Sequence, residues 1–197
     1  TLTQNKMTVV DHYGDDEMTL AKAMALCCDA VIEPGDDSAT GEPTECALVN
    51  YAAKLGIDKK QTEGIMPREE EVPFDSGRKM MSTLHADSQS GKVIQYTKGA
   101  PDEVLKKCTS ILDKGQVTED DKNAILAANK DMADRALRVL MASFKTYDKM
   151  PEKVDAASVE NDLCFIGLVG MIDPPRPEAK KAVATCRKAG IKPVMIT

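Results

Sequence analysis

Val93-Ile94-Gln95-Tyr96-Thr97-Lys98-Gly99-Ala100-Pro101-Asp102-Glu103-Val104-Leu105-Lys106-Lys107 changes secondary structure in mid-run. Its first five residues are rich in β-branched and aromatic side chains and predict a strand. Pro101 suits the first position of a helix, and Asp102 and Glu103 suit the acidic first turn. Lys98 therefore stands where a strand ends, where Gly99 lets backbone approach closely, and just before helix amides begin. Two readings fit. One is a phosphate site made from an ammonium, a glycine turn and a positive helix end. The other is an ordinary strand-to-helix turn carrying a solvated lysine. A short glycine motif does not separate them.

Upstream, Lys79 to Ala86 and Lys92 to Lys98 predict two strands joined by the turn Asp87-Ser88-Gln89-Ser90-Gly91, with a further strand from Glu70 to Asp75. Before these, residues 19 to 32 predict a helix with Thr19 as N-cap and Leu20, Met24, Cys27 and Val31 on one face, ended by Pro34-Gly35. Asp36-Asp37-Ser38 reads as a loop. A second helix starts near Pro43, shows Ala47, Leu48, Tyr51, Ala52 and Leu55 on one side, and stops at Gly56. Downstream, Thr118 and Asp121 predict a capped helix with the stripe Ile125, Asn129, Met132 and Ala136. Residues 139 to 147 and 163 to 172 predict strands, the second apolar enough to be buried on both faces. After Asp173 two prolines stiffen the chain. A helix from Pro177 to Ala189, closed by Gly190, and a short strand from Pro193 to Ile196 complete it.

The chain has 197 residues, 42% hydrophobic and 29% charged, which suits one sizeable core with at most a small satellite. No apolar run approaches the roughly 18 to 20 residues that span a bilayer, and no signal-peptide pattern opens the sequence. The net charge is −6 and the acids are dispersed apart from Glu69-Glu70-Glu71, which argues against a nucleic-acid surface. The six cysteines (Cys27, Cys28, Cys46, Cys108, Cys164, Cys186) lack C-x-x-C spacing and have only His12 and His85 to join them, so no metal site is expected. They read as reduced thiols, mostly buried, which fits cytosol.

Three other positions invite a chemical reading. Phe74 follows Val72-Pro73 and precedes Asp75-Ser76-Gly77-Arg78-Lys79. It is either a core aromatic or a platform on which a purine stacks, with cations for a phosphate tail. Glu45, in Thr40-Gly41-Glu42-Pro43-Thr44-Glu45, is what helix-dipole compensation alone would place in a first turn. Arg138 lies between a helix and the strand Val139-Leu140-Met141-Ala142, where an arginine commonly caps the helix end.

Four motifs together resemble those of the P-type ATPases, pumps that form an aspartyl-phosphate. Lys98-Gly99-Ala100-Pro101 looks like their nucleotide-site motif, and Thr1-Leu2-Thr3-Gln4-Asn5-Lys6-Met7-Thr8 resembles the sequence after their phosphorylated D-K-T-G. Asp173-Pro174-Pro175-Arg176 is similar to their hinge, and Val194-Met195-Ile196-Thr197 to the lead-in of their G-D loop. They stand in the family's order and span essentially the whole chain. The resemblance implies that Phe74 stacks adenine, Glu45 faces its amino group, Lys79 is a nearby cationic contact, and Lys98, Gly99 and Arg138 complete a nucleotide site. Animal members carry an arginine two residues after the phenylalanine. Ser76 stands there in this chain and Arg78 is displaced, which puts an arginine contact at this stretch in doubt.

The resemblance further implies an α+β fold, a twisted antiparallel sheet flanked by helices. Residues 5–172 would form the nucleotide-binding domain, and residues 1–4 and 173–197 a hinge and short α/β remnants of the phosphorylation domain. Such a domain would bind ATP or ADP at the cytoplasmic face of a membrane, with no nucleic-acid partner. It would work with the phosphorylation, actuator and transmembrane domains of one chain and, alone, be monomeric. The accepting aspartate would precede Thr1 and the magnesium-binding G-D would follow Thr197, so the isolated piece would lack catalysis, with Mg2+ needed only in the intact pump. Pro43-Thr44-Glu45 and the hinge look most like calcium pumps; sodium/potassium, proton and magnesium pumps also fit, because absent membrane helices select the ion. A haloacid-dehalogenase-type phosphatase fragment and a structural domain that binds no nucleotide are the alternatives.

Overall fold

The computed structural model describes residues 3, 4, 6–33 and 38–194. Its elements are β1 (Thr8–Tyr13), α1 (Glu17–Leu26), α2 (Pro43–Lys54), α3 (Lys59–Ile65), β2 (Arg68–Asp75), β3 (Met80–Ala86), β4 (Val93–Gly99), α4 (Pro101–Val104), β5 (Cys108–Ile111), β6 (Gly115–Gln116), α5 (Glu119–Asp134), β7 (Arg138–Tyr147), α6 (Ala156–Val159), β8 (Leu163–Ile172) and α7 (Pro177–Lys188). The eight strands form one open sheet in the order β2-β3-β4-β7-β8-β5-β6, with β1 also on β8. Every pairing is antiparallel except β5 with β8. The apolar β8 has three neighbours: β7 along one side, and β1 and β5 sharing the other.

The sheet is packed on both faces. Leu20, Met24 and Cys27 of the α1 segment and Ala47 and Leu48 of α2 join Met81, Tyr96, Ala142 and Val169 on one face. Val104, Ile125 and Met132 join Met80, Met141, Phe165 and Leu168 on the other. Alternation along each strand produces this division, since Met80 and Met81, or Met141 and Ala142, point oppositely. A small alanine seam, Ala21, Ala25 and Ala52, joins α1 to α2.

Local chemistry sets the ends of the elements. The carboxylate of Asp16 accepts the Thr19 amide at 2.9 Å and the Thr19 hydroxyl at 2.6 Å. Asp16, not Thr19, is thus the N-cap, and Thr19 lies inside the first turn. The helix also stops at Leu26 instead of continuing to residue 32, because the carbonyls beyond it take side-chain donors described below. Val31, expected on the helix face, is 41% exposed and bridges Thr40. Thr118 and Asp121 form the expected capping box. Ile125 and Met132 are buried, but Asn129 is only half-buried and Ala136 lies beyond the helix end, exposed and at φ 58°. The helix after Pro101 is one α turn followed by a 3₁₀ turn, Leu105–Lys107. Cys27, Cys28 and Cys108 are buried, whereas Cys46, Cys164 and Cys186 are half-buried, fewer than expected in the core. Ile191, Lys192, Pro193 and Val194 form no strand. Met195, Ile196 and Thr197, like Thr1, Leu2, Asn5 and the Pro34-Gly35-Asp36-Asp37 loop, lie outside the described residues.

Candidate functional site

β4 sits between β3 and β7, so Lys98 faces Met81 on one side and Ala142 on the other. Direct cross-strand partners share a face, here the α1–α2 face. Arg138, four residues before Ala142 on β7, lies on the same face by the two-residue period. On β2 the step from Val72 to Asp75 is matched by only Ser82 to Met80 on β3, which is a bulge. Pro73 and Phe74 therefore share Met81 as their opposite position. Phe74 is 63% exposed, so it is no core aromatic.

The first turn of α2 links this row together. Glu42 caps the helix, accepting from the amides of Thr44 and Glu45 at 2.8 and 3.1 Å. Thr44 Oγ1 then accepts from the Arg138 guanidinium at 2.8 Å. Glu45 Oε1 pairs with Lys98 Nζ at 2.5 Å, while its Oε2 accepts the amides of Asp29 and Ala30 at 2.8 and 3.2 Å. Arg138 thus braces the start of α2 besides beginning a strand.

Lys98 is only 7% exposed, so neither the solvated nor the mobile ammonium expected at a turn is found. Its Nζ also lies 3.1 Å from Cys28 Sγ. Burial disfavours its charge, but Cys28, Cys27 and the Glu45 carboxylate outweigh it, and the pKa ends above the ordinary lysine value. The physical weight falls on Glu45, because burial pushes the Cys28 thiol up to about 12 and leaves it neutral at pH 7.

Lys79 offers the opposite case. Its side chain is 51% exposed, and Nζ lies 3.7 Å from both Asp102 and Glu103 at the start of α4. Its backbone is left-handed, with φ 55°. The Lys79 carbonyl accepts the Ala100 amide at 2.9 Å, and a Cβ on Gly99 would fall 2.5 Å from that carbonyl oxygen. Gly99 is needed for this close approach, as the sequence argued, although the approaching backbone is the neighbouring turn.

Residues that the sequence did not single out hold the inner end. Lys59 Nζ donates to the carbonyls of Cys28 and Ala30, each at 2.7 Å. Arg68 donates to the carbonyls of Leu26 and Cys28 at 3.2 and 2.6 Å, and to the carboxylates of Asp29 and Glu71 at 2.7 and 2.9 Å. The turn whose amides hold Glu45 is therefore held through its carbonyls by two cations. No local pattern marks this role of Lys59 and Arg68, since the turn they hold lies about thirty to forty positions away. Arg78 points away from the row, to Glu160 on the opposite face. Two clefts lie elsewhere and contain none of these site residues: one of about 290 Å³ beside Tyr13, Lys114 and Phe165, and one of about 360 Å³ beside Met7, Asn50 and Lys54.

Comparison with known proteins adds a family. The family model described as "P-type ATPase, cytoplasmic domain N" matches residues 17–178. Calcium-transporting ATPase 1 of Bacillus cereus is 45% identical over 214 residues, covering 100% of this chain and 23% of the relative. Calcium-transporting ATPase 1 of Lactococcus lactis is 39% identical over 213 residues, covering 100% and 24%. Potassium-transporting ATPase alpha chain 2 of Cavia porcellus is 31% identical over 238 residues, covering 100% and 23%. The chain spans about a quarter of the length of these curated relatives.

Proposed function

Because the chain belongs to the P-type ATPase cytoplasmic N-domain family, we propose that it binds ATP and presents it to a phosphorylatable aspartate outside these residues, in a cation pump that transports calcium. The observation that carries the reading is an exposed aromatic, Phe74, on the same sheet row as the sealed Glu45–Lys98 pair. In this assignment Phe74 stacks the purine and the Glu45–Lys98 pair closes its inner end. Lys98 is buried against a carboxylate, so it lines the purine end and is not the phosphate cation. The exposed Lys79 and Arg138 meet the phosphates, and Gly99 admits the close approach of the turn that carries Lys79.

ATP would supply the transferable phosphoryl group, with Mg2+ carried on its phosphates, and no residue of this chain is assigned to the metal. The protein's work here is positioning, since phosphoryl transfer needs a nucleophile and metal cradle aligned with the γ-phosphate. The chain alone is expected to bind without turnover, as a monomer. Its partners are the phosphorylation, actuator and transmembrane domains of the same protein, at the cytoplasmic face of a membrane. Among the described residues no helix is long and apolar enough to cross one.

The proposed boundaries, residues 1–4, 5–172 and 173–197, draw support from how the two crossing segments are tied. Gln4 N donates to Pro174 O at 3.1 Å, Lys6 N to Asp173 Oδ1 at 3.2 Å, and Arg176 Nε to Thr3 O at 2.8 Å. In this reading Asp173, Pro174, Pro175 and Arg176 are the hinge, tied to the first segment also by a single β-bridge between Thr3 and Pro175. Beyond it, α7 has no buried residue, as expected of a helix whose packing partner is the phosphorylation domain.

Calorimetric titration of adenosine, AMP and ATP tests the reading. Phe74→Ala is expected to weaken all three by about 0.5 to 1.5 kcal/mol, because stacking acts on the purine. Absence of heat with millimolar ATP, from folded protein, would leave only a structural domain.

A further inference from the structure

A purine platform must be held at a fixed angle, and Phe74 has little packing to hold it. Phe74 lies on β2, an edge strand of the sheet, in a bulge and with its ring in solvent. An exposed ring in such a place gains no rotational restraint from packing, and a bulge leaves backbone groups outside the ladder. One of those groups has a partner here. The Pro73 carbonyl, one residue before Phe74, accepts from Arg78 Nη2 at 2.7 Å.

The other terminal nitrogen of Arg78 is spent on a buried charge. Arg78 Nη1 donates to both carboxylate oxygens of Glu160, the Oε2 contact being 2.5 Å. Glu160 is only 2% exposed, and its Oε1 also accepts from Ser82 Oγ at 3.2 Å. Ser82 is the direct partner of Val72 on β2 and of Thr97 on β4, on the face opposite Met81 and Lys98. The turn itself is pinned as well, since Asp75 Oδ1 accepts the amides of Gly77 and Arg78 at 3.0 and 2.9 Å.

A buried ion pair is weak evidence for stability as such, because well-packed apolar residues often do as well. What an apolar pair could not do is place a planar fork with one arm on a fixed carboxylate and the other on the bulge. We propose that Arg78 is a positioning residue for Phe74. Its guanidinium fastens the Pro73–Phe74 bulge to Glu160 on the far face of the sheet, so that the ring is held at one angle over the row of Lys98. This rests on the reading of Phe74 as the purine platform. It also accounts for the arginine that the sequence placed late in this stretch: it supports the aromatic from behind and makes no contact with the ligand.

Arg78→Lys is the test, because it keeps a cation for Glu160 and cannot reach both partners as a fork. Two measurements are made on the 197-residue chain. In the ligand-free protein, the ring resonances of Phe74, one of only three phenylalanines, are expected to shift or broaden in Arg78→Lys while those of Phe144 and Phe165 stay in place. In titration, adenosine affinity is expected to fall about threefold to tenfold, within the range a lost stack produces, and Arg78→Lys added to Phe74→Ala should cause no further loss. Unchanged Phe74 resonances, or an adenosine loss that persists in the Phe74→Ala background, would overturn the proposal. If Phe74→Ala alone leaves adenosine binding unaltered, the purine reading fails, and the ring resonances still decide whether Arg78 positions the side chain. Should Arg78→Lys fail to fold, Glu160→Gln, which keeps an oxygen for Arg78 and removes the charge, carries the same measurements.

Discussion

Lys98, on β4, and Lys79, in the turn that leads into the neighbouring β3, have opposite surroundings. Lys98 is sealed against Glu45 and Cys28, behind a turn held by Lys59 and Arg68. Lys79 sits half-exposed on a strained turn, with two carboxylates at the edge of its reach. The inner end of the row is therefore part of the fold, whereas the rim, with Phe74, is presented by it. A substitution at the inner end should act first on stability, and one at the rim on the ligand. This difference is what the following experiments break or sharpen.

The largest effect is expected from Glu45→Ala. It leaves the buried Lys98 ammonium and the amides of Asp29 and Ala30 without their acceptor. Removing one partner of a buried pair costs about 3 to 5 kcal/mol, to be read from the urea midpoint. Glu45→Gln, which keeps an oxygen in place, should cost clearly less. A Glu45→Ala protein as stable as the parent would mean that the inner end is open in solution.

Acid should reach the same inner end. His85 is fully buried, with Nδ1 3.0 Å from the Met66 carbonyl and Nε2 2.9 Å from Thr83 Oγ1. Burial pushes its pKa from 6.5 down to about 4, the nearby Arg68 and Lys59 acting in the same direction against the Met66 carbonyl. The unfolded chain then binds a proton that the folded one refuses between those values. Stability is full above pH 6.5, falls as pH drops toward 4, and loses about 3 kcal/mol from this group. Carboxylates held low by partners, such as Asp29 by Arg68, act below the ordinary carboxylate value of 3.8 and leave this window to the histidine. His85→Gln should flatten the stability–pH curve between pH 4 and 6.5, and an unchanged slope would refute the assignment.

Much of this was legible in the sequence where interactions are local. The hairpin of β3 and β4, the capping box at Thr118 and the apolar run of β8 each follow from short patterns that tertiary structure did not override. The site residues were named from motifs, yet their states were not. Nothing near Lys98 in the chain announces Glu45 or Cys28, which come from α2 and the turn after α1. The early end of α1 is illegible for the same reason, being set by Arg68 and Lys59 from β2 and α3. β1 carries no clear local signal, since Val9, Val10 and His12 alternate weakly, with Val10 54% exposed, and only its pairing with β8 makes it a strand. Phe74 was ambiguous because hydrophobicity predicts burial, whereas an edge-strand bulge decides its exposure.

The smallest effect is the most diagnostic of the rim. A lysine at φ 55° costs roughly 1 kcal/mol relative to glycine, because its Cβ crowds the following carbonyl. The turn around it tolerates that cost. Its carbonyl must take the Ala100 amide and its own amide donates to Asp75 O at 2.7 Å, so the backbone cannot relax elsewhere. Lys79→Gly removes the crowding and gives up two half-exposed ion contacts worth little each. Glycine also gives the unfolded chain more freedom, which takes back part of the gain. The net expectation is a stability gain of about 0.5 kcal/mol. Lys79→Ala loses the same charge but keeps the strain, so the difference between the two variants cancels the charge and leaves strain less glycine's unfolded-state freedom, about 0.5 kcal/mol in favour of glycine. Both variants should bind adenosine as the parent does and ATP more weakly, by a margin that shrinks with added salt. A glycine variant less stable than the alanine variant would show that no strain is stored at the turn. If both instead lose adenosine affinity, Lys79 belongs with Lys98 at the purine end, and the contrast between a sealed interior and an adaptable rim collapses.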